Sequence, residues 1–403
     1  MRIAFVTPEY VTEPSYSGGL ANYLGRITVA LVEQGHEIHV FTRSQQNETI
    51  EFQGVTVHRV VPLWDRRMIL DHIDPLIPKI FYNPYQDFKA AWCLWRSWAH
   101  IHQSTPFDIV QVSNVMAVGL FFRWVRHTPV ITRMSSYRPF WDTAAGITLT
   151  EGVKLRWWME RVAVTGTRHI YAPTYFVAGQ VQKGYSIPQV DVLETPFFVE
   201  QPTYDTNLFE QVAAGKPYLL YFGRMTQMKG VHILTEALPE LLNRFPEMHA
   251  FFIGGSGPAP DGKPMADYIR DRLQPFQERV HVLDSMRHDK LYPFILHART
   301  IVLPSLMDNL PNTCLEAMGL GKLVVATTGT CFEQVIENGV SGILVTPGDA
   351  RALMEGISQA WEMEETARNQ MQEQAIQSIN RLHPVQAIPR LIEYYESILA
   401  KQK

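Results

Sequence analysis

The sequence predicts an α/β protein made of two Rossmann-like, doubly wound domains that face each other across a cleft. Short apolar runs alternate with amphipathic helical stretches, as in parallel sheets covered by helices. This alternation restarts at Tyr218, and the segment 192–207 before it is rich in Pro and Thr without a helical period. We therefore predict a first domain at 1–197 and a second at 208–384.

The first half opens with a strand followed by a helix. Residues 2–8 form a short apolar run that Pro8 ends, and a helical pattern extends from Leu20 to Gln34, where Gly35 closes it. With a strand at 37–43, this unit implies a right-handed crossover and a parallel sheet. Further strands are predicted at 55–60, 108–113, 129–134 and 169–173.

The second half repeats this design. A strand at 218–225 leads into an amphipathic helix at 230–245 and a strand at 249–258 with a Gly-rich exit. The elements predicted next are strands at 279–284, 300–305 and 322–329, with helices at 289–298 and 313–321. The last helix begins after Pro384, and its apolar positions follow i, i+3, i+4 spacing. These positions are Ile388, Leu391, Ile392, Tyr395 and Leu399.

The composition is that of a globular protein. The 403 residues are 46% hydrophobic and 19% charged, and the net charge of −4 gives no field that would attract nucleic acid. Cys93, Cys314 and Cys331 show no CxxC or metal-ligand spacing, so we expect free, buried thiols in a reducing compartment. The N-terminus does not resemble a signal peptide, and no apolar run approaches the ~20 residues of a spanning helix. We expect a soluble or peripheral, cytoplasmic protein.

The segment SGGL at 17–20 lies between the first strand and the first helix. Ligands of doubly wound sheets bind at the loops that leave the strands. Gly18 and Gly19 would let the backbone approach a ligand, and a helix N-terminus favours a phosphate or carboxylate. The segment lacks the G-x-G-x-x-G dinucleotide fingerprint, and a tight turn before a helix is the structural alternative.

The segment FGRMTQMKG at 222–230 leaves the first strand of the second domain. Gly223 and Gly230 bracket two cations, Arg224 and Lys229, which suit a diphosphate. A departing nucleoside diphosphate gains negative charge as its bond to a sugar breaks, so fixed cations would stabilise that transition state. The alternative is a solvated loop with incidental charges.

The segment DNLPNTCLEAMGLGK at 308–322 carries two acids. Asp308 lies in the predicted loop, and Glu316 lies about one turn into a helix that begins near Asn312 or Thr313. Free backbone N–H groups at that helix start favour phosphate, and carboxylates can accept hydrogen bonds from the hydroxyls of a sugar and a ribose. The alternative is that Asp308 and Thr313 cap the helix and Glu316 lies on its first turn.

Taken together, these segments resemble the retaining glycosyltransferases of the GT-B fold, family 4 (glycosyl transferases group 1). The resemblance covers nearly the whole chain. It rests on GGLANYL, FGRMTQMKG, IGGSGP and DNLPNTCLEAMGLGKLVVAT with the trailing ENGVSGILVTPGD. It implies that the closing helix 385–403 crosses back to complete the first domain.

The resemblance also implies roles for individual residues. Arg224 and Lys229 would hold the donor diphosphate, Glu316 the ribose hydroxyls, and Asp308 the transferred sugar. Arg224, Lys229 and Asp308 are the expected catalytic residues. The nucleobase would lie near 254–257 and the loop after Leu283. The expected donor-binding residues are Gly18, Gly19, Gly223, Arg224, Lys229, Gly255, Asp308, Asn309, Leu310, Asn312, Thr313 and Glu316.

The sequence departs from the family pattern at two places. Asp308 replaces a Glu and is one methylene shorter. A first-domain His of the family is absent from the corresponding segment, TRMSSYRPFWD, where Arg133, Ser135 and Arg138 are the candidate substitutes on the acceptor side. The resemblance implies a front-face displacement that retains configuration without a cofactor or protein-bound metal, and the sequence has no Asp-x-Asp motif.

The acceptor is expected to meet the first domain. Basic residues outnumber acids in the segment 123–168, and Trp124, Trp141, Trp157 and Trp158 are interleaved with them. Such a mixture can rest on an anionic bilayer, as a peripheral contact at the cytoplasmic membrane face, or stack on sugar rings. The alternative is core aromatics on amphipathic helices with basic outer faces.

The sequence thus predicts a nucleotide-sugar-dependent hexosyltransferase, with UDP or GDP as the carrier. Its acceptor would be a carbohydrate or lipid-linked hydroxyl, in the synthesis of a polysaccharide, glycolipid or small glycoside. A GT-B-fold sugar-nucleotide epimerase, a phosphorylase and a degenerate carbohydrate-binding relative are the alternatives. No nucleic-acid partner is expected.

Overall fold

The chain folds into two compact units. The computed structural model describes residues 1–14, 19–63, 76–199, 203–309 and 312–401. Unit 1 comprises Met1–Pro196 and Pro384–Lys403, and unit 2 comprises Phe197–His383. The division after Pro196 falls inside the Pro- and Thr-rich segment that the sequence singled out. Each unit contains a largely parallel sheet with helices, which confirms the predicted α/β fold class.

The sheet of unit 1 is built from strands that are mostly buried, apart from one exposed strand at its edge. They are β1 (Arg2–Thr7), β2 (Glu37–Arg43), β3 (Glu48–Phe52), β4 (Val55–Val60), β5 (Ile109–Ser113), β6 (Val130–Arg133), β7 (His169–Ala172) and β8 (Asp191–Val192). Among the described residues their order is β3-β4-β2-β1-β5-β6-β7-β8. Only β3 pairs antiparallel, and the sequence analysis missed this strand because it lies at the polar, exposed edge of the sheet.

Five helices cover this sheet in the described part of the N-terminal segment. They are α1 (Gly19–Glu33), α2 (Lys79–Ser104), α3 (Arg138–Ala144), α4 (Glu151–Thr165) and α5 (Tyr175–Tyr185). Helix α1 matches the predicted crossover helix after the first strand. The aromatic run at 90–100 lies within the long helix α2, and several of its aromatic side chains pack into the core.

Unit 2 contains strands β9 (Tyr218–Phe222), β10 (His249–Ile253), β11 (Val280–Leu283), β12 (Thr300–Leu303), β13 (Val324–Thr327) and β14 (Ile343–Val345). They are parallel, in the order β11-β10-β9-β12-β13-β14. This is the doubly wound order, and its direction reverses between β9 and β12, where such sheets bind ligands.

The helices of unit 2 alternate with these strands. They are α6 (Asn207–Val212), α7 (Val231–Arg244), α8 (Met265–Arg272), α9 (His288–His297), α10 (Asn312–Gly319), α11 (Ala350–Glu362) and α12 (Glu365–Ile379). Two apolar clusters lie on opposite faces of the sheet, since alternate residues of each strand point to opposite sides. The result is a rigid platform for the loops that leave β9 and β12.

The closing helix α13 (Pro384–Ala400) belongs to unit 1. Its residues Ile388, Leu391 and Tyr395 are buried in the same core as Ile3 of β1. The Tyr395 hydroxyl also donates a hydrogen bond of 2.5 Å to Oε1 of Gln111 on β5. The predicted return of this helix to the N-terminal domain is therefore confirmed.

Three further observations concern composition-based predictions. Cys93, Cys314 and Cys331 are free and buried, as predicted. None of the helices in the described ranges is long and apolar enough to cross a membrane. Over the same ranges, His, Cys, Asp and Glu side chains form no cluster of three or more that could hold a metal ion.

Candidate functional site at the strand ends of unit 2

The loops that leave β9 and β12 lie side by side at the point where the sheet order reverses. The backbone N–H of Leu306 donates to the carbonyl oxygen of Met228 at 2.9 Å. Gly230 directly precedes α7 and has φ of 67°, and a Cβ at this position would lie 1.8 Å from the carbonyl oxygen of Pro304. A glycine is required here because the two backbones meet with no room for a side chain.

This contact brings together two of the predicted catalytic residues. The Lys229 Nζ lies 2.6 Å from Oδ2 of Asp308, and these side chains are 25% and 7% exposed. The other carboxylate oxygen of Asp308 accepts a hydrogen bond of 3.0 Å from the backbone N–H of Asn309. Both oxygens of Asp308 are therefore engaged by the protein, which the sequence did not predict.

The charge on Asp308 affects the pKa of its buried neighbours. Burial, and after it the negative charge of Asp308, raise the pKa of the Cys314 thiol and of the Tyr221 hydroxyl above their ordinary values. A buried carboxylate is costly unless it is paired and hydrogen-bonded. Lys229 and the backbone N–H of Asn309 supply these partners. The ion pair in turn fixes the Lys229 ammonium group in the loop that leaves β9.

Arg224 is placed differently from Lys229. Its side chain is exposed, while its backbone carbonyl oxygen accepts a hydrogen bond of 2.7 Å from the Tyr221 hydroxyl. The guanidinium group is thus presented at the surface from an anchored backbone. The two predicted diphosphate ligands share one loop, but Lys229 is the one that the protein holds in an ion pair with Asp308.

The Gly-rich exit of β10 adjoins the same loop. The backbone N–H of Gly223 donates to Ile253 at 2.9 Å, and that of Met225 donates to Gly255 at 2.8 Å. The N–H of Gly254 donates to the carbonyl of Leu283 at 3.1 Å. The two segments that the family resemblance assigned to the nucleobase therefore lie next to each other.

Helix α10 begins beside the end of β9. A Cβ built on Gly223 would lie 3.4 Å from Cγ2 of Thr313. One turn later, Oε1 of Glu316 lies 3.8 Å from Nε2 of His288, the first residue of α9, and the Glu316 side chain is 15% exposed. The sequence analysis missed His288, although its place directly after the β11 exit was a signal that could have found it.

The remaining donor-side predictions have separate outcomes. Gly18 and Leu310 lie outside the described residues. Gly19 is the first residue of α1 in unit 1 and is exposed. Asn312 is the first residue of α10, so its backbone lies at the predicted helix start.

Of the acceptor-side candidates, Arg133 is the most buried. Its Nη1 donates to the Ser135 hydroxyl at 2.9 Å, and its guanidinium carbon lies 3.7 Å from the ring centre of Tyr23. It lines a small cavity of about 10 Å³, which has room for one water at most and none for a sugar. Arg138 instead pairs with Asp142 on its own helix at 3.3 Å.

A buried acid that the sequence analysis missed lies beside these residues. Oε1 of Glu160 accepts hydrogen bonds of 3.0 Å from Nδ2 of Asn114 and from the Tyr185 hydroxyl. Burial raises the pKa of Glu160 from its ordinary 4.5 to about 7, and the positive charge of Arg138 partly offsets this shift. Nothing in the local sequence of α4 separates Glu160 from a solvated helical acid, because its burial depends on β5 and α5.

The Glu160→Gln substitution is expected to flatten the dependence of stability on pH. Since the folded-state pKa is raised, the native state keeps a proton that the unfolded state releases. The contribution of Glu160 to the free energy of unfolding is therefore fully present below pH 4.5 and is lost as pH rises through about 7. The difference between the wild type and the variant should change by roughly 3 kcal/mol across this window. Urea unfolding of both proteins at several pH values measures this difference. If the free energies of unfolding of wild type and variant ran parallel across the window, the raised pKa of Glu160 would be contradicted.

Comparisons with known proteins follow the same division of the chain. The family model of the glycosyl transferase 4-like domain matches residues 18–196, and that of the glycosyl transferases group 1 matches residues 216–363. An uncharacterized glycosyltransferase of Methanocaldococcus jannaschii is 24% identical over 372 residues, which are 89% of this chain and 88% of the relative.

Solved structures share the whole architecture. Sucrose-phosphate synthase of Thermosynechococcus elongatus superimposes with a TM-score of 0.76 at 17% identity, over 99% of both chains. HepE of Anabaena, in a complex with UDP, gives 0.70 at 16% identity over 98% of this chain and 100% of that one. At these identities the likeness shows the fold alone. Two family models that together span both units, with this shared fold, establish that the chain belongs to the group 1 glycosyltransferases of the GT-B fold.

Proposed function

We propose that the protein transfers a hexosyl group from a nucleoside diphosphate sugar to a hydroxyl acceptor, with retention of anomeric configuration and without a protein-bound metal. The observation that carries this proposal is the Lys229–Asp308 ion pair at the strand ends where unit 2 reverses its sheet order. Support comes from the HepE structures, whose complexes contain UDP, UDP with glucose, and UDP-glucose.

In this proposal, Lys229 and Arg224 bind the leaving diphosphate. Negative charge on the phosphate grows as the bond between it and the sugar C1 breaks, so a cation held at that place favours the transition state. The ion pair with Asp308 holds Lys229 in advance and reduces the reorganisation needed during reaction. Arg224, with an exposed side chain, can close on the phosphate once the donor is bound.

The carboxylate of Glu316 is proposed to receive the ribose hydroxyls. Its place on the first turns of α10, beside His288, leaves it partly accessible while its helix stays fixed by Cys314 and Leu315 in the core. Backbone N–H groups at the start of α10 would face a phosphate, which a helix N-terminus stabilises. To bind the transferred sugar as well, Asp308 must accept hydrogen bonds with lone pairs of its carboxylate oxygens that Lys229 and Asn309 do not occupy.

The transfer step is proposed as a front-face displacement. The bond from C1 to the phosphate oxygen breaks, and a bond from C1 to the acceptor oxygen forms on the same face. The acceptor proton passes to an oxygen of the leaving diphosphate. The acceptor is a carbohydrate or lipid-linked hydroxyl, and the cytoplasm is the proposed location.

Donor binding and turnover test this function. Thermal-shift measurements with UDP-, GDP- and ADP-sugars should show a rise in Tm for the true donor. At a ligand concentration 100 times Kd, binding adds about 2.7 kcal/mol to the free energy of unfolding. NMR of the product with that donor should show the same anomeric configuration as the donor sugar. Turnover should persist in excess EDTA.

Each other outcome identifies a different function. Conversion of the donor sugar without an acceptor would indicate an epimerase. Binding of free saccharides with no turnover on any donor would indicate a carbohydrate-binding relative. An inverted product, or activity that EDTA abolishes and a divalent cation restores, would overturn the proposed mechanism.

A further inference from the structure

An apolar groove lies on unit 1 between α2, the turn 122–124 and α4. Its volume is about 550 Å³, within the ~300–1,000 Å³ of pockets that bind small molecules. Its lining side chains are almost entirely apolar and include Phe81, Phe88, Phe121, Leu155, Trp158 and Met159. On α4 the lining residues recur at i, i+3, i+4 and i+7, so one stripe of the helix faces the groove.

Close packing builds the walls of the groove. A Cβ on the buried Gly152 of α4 would lie 1.8 Å from the carbonyl oxygen of Ile80, so the first turns of α2 and α4 touch backbone to backbone. Phe121 forms an edge contact with Phe88, with ring centres 5.2 Å apart. Met159 and Phe121 are buried and form part of its floor. The groove is thus a fixed feature of the packing.

Large apolar side chains on the rim of the groove are unusually exposed. Trp124 is 63% exposed and Trp158 is 58% exposed. Phe81 and Leu155 are also exposed and line the groove. Contiguous apolar surface of this kind marks a contact site, since water is a poor solvent for it.

The polar border of the groove is cationic. Arg123 lines it, and Lys154 and Arg161 are exposed on α4 beside Trp158. Of the acids of α2 and α4, Glu160 is buried, and Asp87 is buried and pairs with Arg156. Glu151 offsets Lys154 at 2.8 Å, which leaves the positive charges of Arg123 and Arg161 on the border.

We propose that this groove docks the protein on an anionic lipid bilayer and takes a hydrocarbon chain of one lipid. Aromatic side chains with an apolar body and a polar edge are favoured at membrane interfaces, and lysine and arginine beside them attract anionic headgroups. A hydrocarbon chain needs no hydrogen-bond partners, which suits the apolar lining. The proposal concerns unit 1 and is independent of the donor chemistry in unit 2.

Vesicle binding by the full chain tests the proposal. Co-sedimentation should show binding to phosphatidylglycerol vesicles and at least tenfold weaker binding to phosphatidylcholine vesicles. Trp158→Ser and Leu155→Ser should each weaken binding by about tenfold, the loss expected when one large apolar side chain is no longer buried. Arg161→Gln should weaken it roughly fivefold, as one cation near an anionic surface does.

Matched controls separate docking from folding and from charge alone. Tyr175→Ser changes an aromatic on α5 that is more exposed than Trp158, and it should leave binding unchanged. Arg270→Gln, on unit 2, should do the same. Lipids brominated along the chain should quench tryptophan fluorescence of the wild type, and Trp124→Phe with Trp158→Phe should remove most of that quenching. Unchanged thermal unfolding would show that the variants are folded.

Three results would overturn the proposal. The first is equal binding to both kinds of vesicle, or to neither. The second is wild-type binding by the Trp158→Ser variant. The third is a concentration-dependent dimer in sedimentation equilibrium that Trp158→Ser dissociates, because a second copy of the chain would then cover the groove.

Discussion

Alanine at Lys229 is expected to lower kcat/KM for transfer by about 10²–10³-fold, the loss typical of one fixed group that stabilises transition-state charge. Its ammonium group is held 2.6 Å from Asp308, so on the proposed function it would meet the phosphate without reorganisation. Initial rates with the donor found by thermal shift measure the loss. Calorimetric Kd values for the nucleoside diphosphate show how much of it is ground-state binding.

The Lys229→Ala variant also leaves a buried carboxylate without its cation. Asp308 would then be costly to keep ionised, so part of the effect could arise from altered folding. Arg224→Ala avoids this problem, because its side chain is exposed, and should also lose activity on the proposed function. The matched control is Lys263→Ala, an exposed lysine of unit 2 that pairs with Asp271. Near-normal turnover by both Arg224→Ala and Lys229→Ala would contradict the proposal that these residues bind the diphosphate.

Asp308→Asn separates the two roles open to Asp308. If it holds Lys229, the variant should resemble Lys229→Ala, with a loss that is the same for donors carrying different sugars. If it binds the sugar, the loss should depend on the sugar hydroxyls while the Kd for the free nucleoside diphosphate stays unchanged.

The largest effect on stability is expected from Gly230→Ala. This residue has φ of 67°, a backbone conformation that costs an alanine roughly 1–2 kcal/mol. Its Cβ would also lie 1.8 Å from the carbonyl oxygen of Pro304, which must move before the variant can fold. We expect a total loss of about 3–5 kcal/mol and a fall in Tm of roughly 10 °C.

Gly329→Ala is the matched control for Gly230→Ala. Gly329 has φ of 68° in the same unit, and a Cβ there would meet nothing within 4 Å. The control therefore carries the conformational cost without the clash, and its Tm should fall by only a few degrees. Equal losses in the two variants, measured by differential scanning calorimetry, would mean that the β9 and β12 loops do not touch as described.

Most of the strands could be predicted because each buried parallel strand is a short apolar run between loop residues. The β-α-β order and the helix α1 followed from such local patterns, whereas the return of α13 to unit 1 followed from the family resemblance. Strand β3 could not be predicted in this way. Its residues are polar and exposed, and it exists because its backbone pairs with β4, which is a contact between segments.

The site was predicted in part. The sequence placed Arg224, Lys229, Asp308 and Glu316 in loops and first turns at strand ends, and the structure has them there. It did not predict that Asp308 pairs with Lys229, since these residues are 79 positions apart. The contact of Glu316 with His288 was missed for the same reason.

The sequence by itself determined the family, the two α/β units and the types of side chain available at each strand end. These depend on local order: apolar runs set the strands, and glycines and charges follow at fixed spacing. The tertiary structure alone decided which side chains meet, which are buried, and which acid has a pKa raised by burial. The reason is that burial and pairing depend on segments distant in the chain, so Glu160 and Arg133 become core groups while Trp158 remains exposed on the rim of a groove.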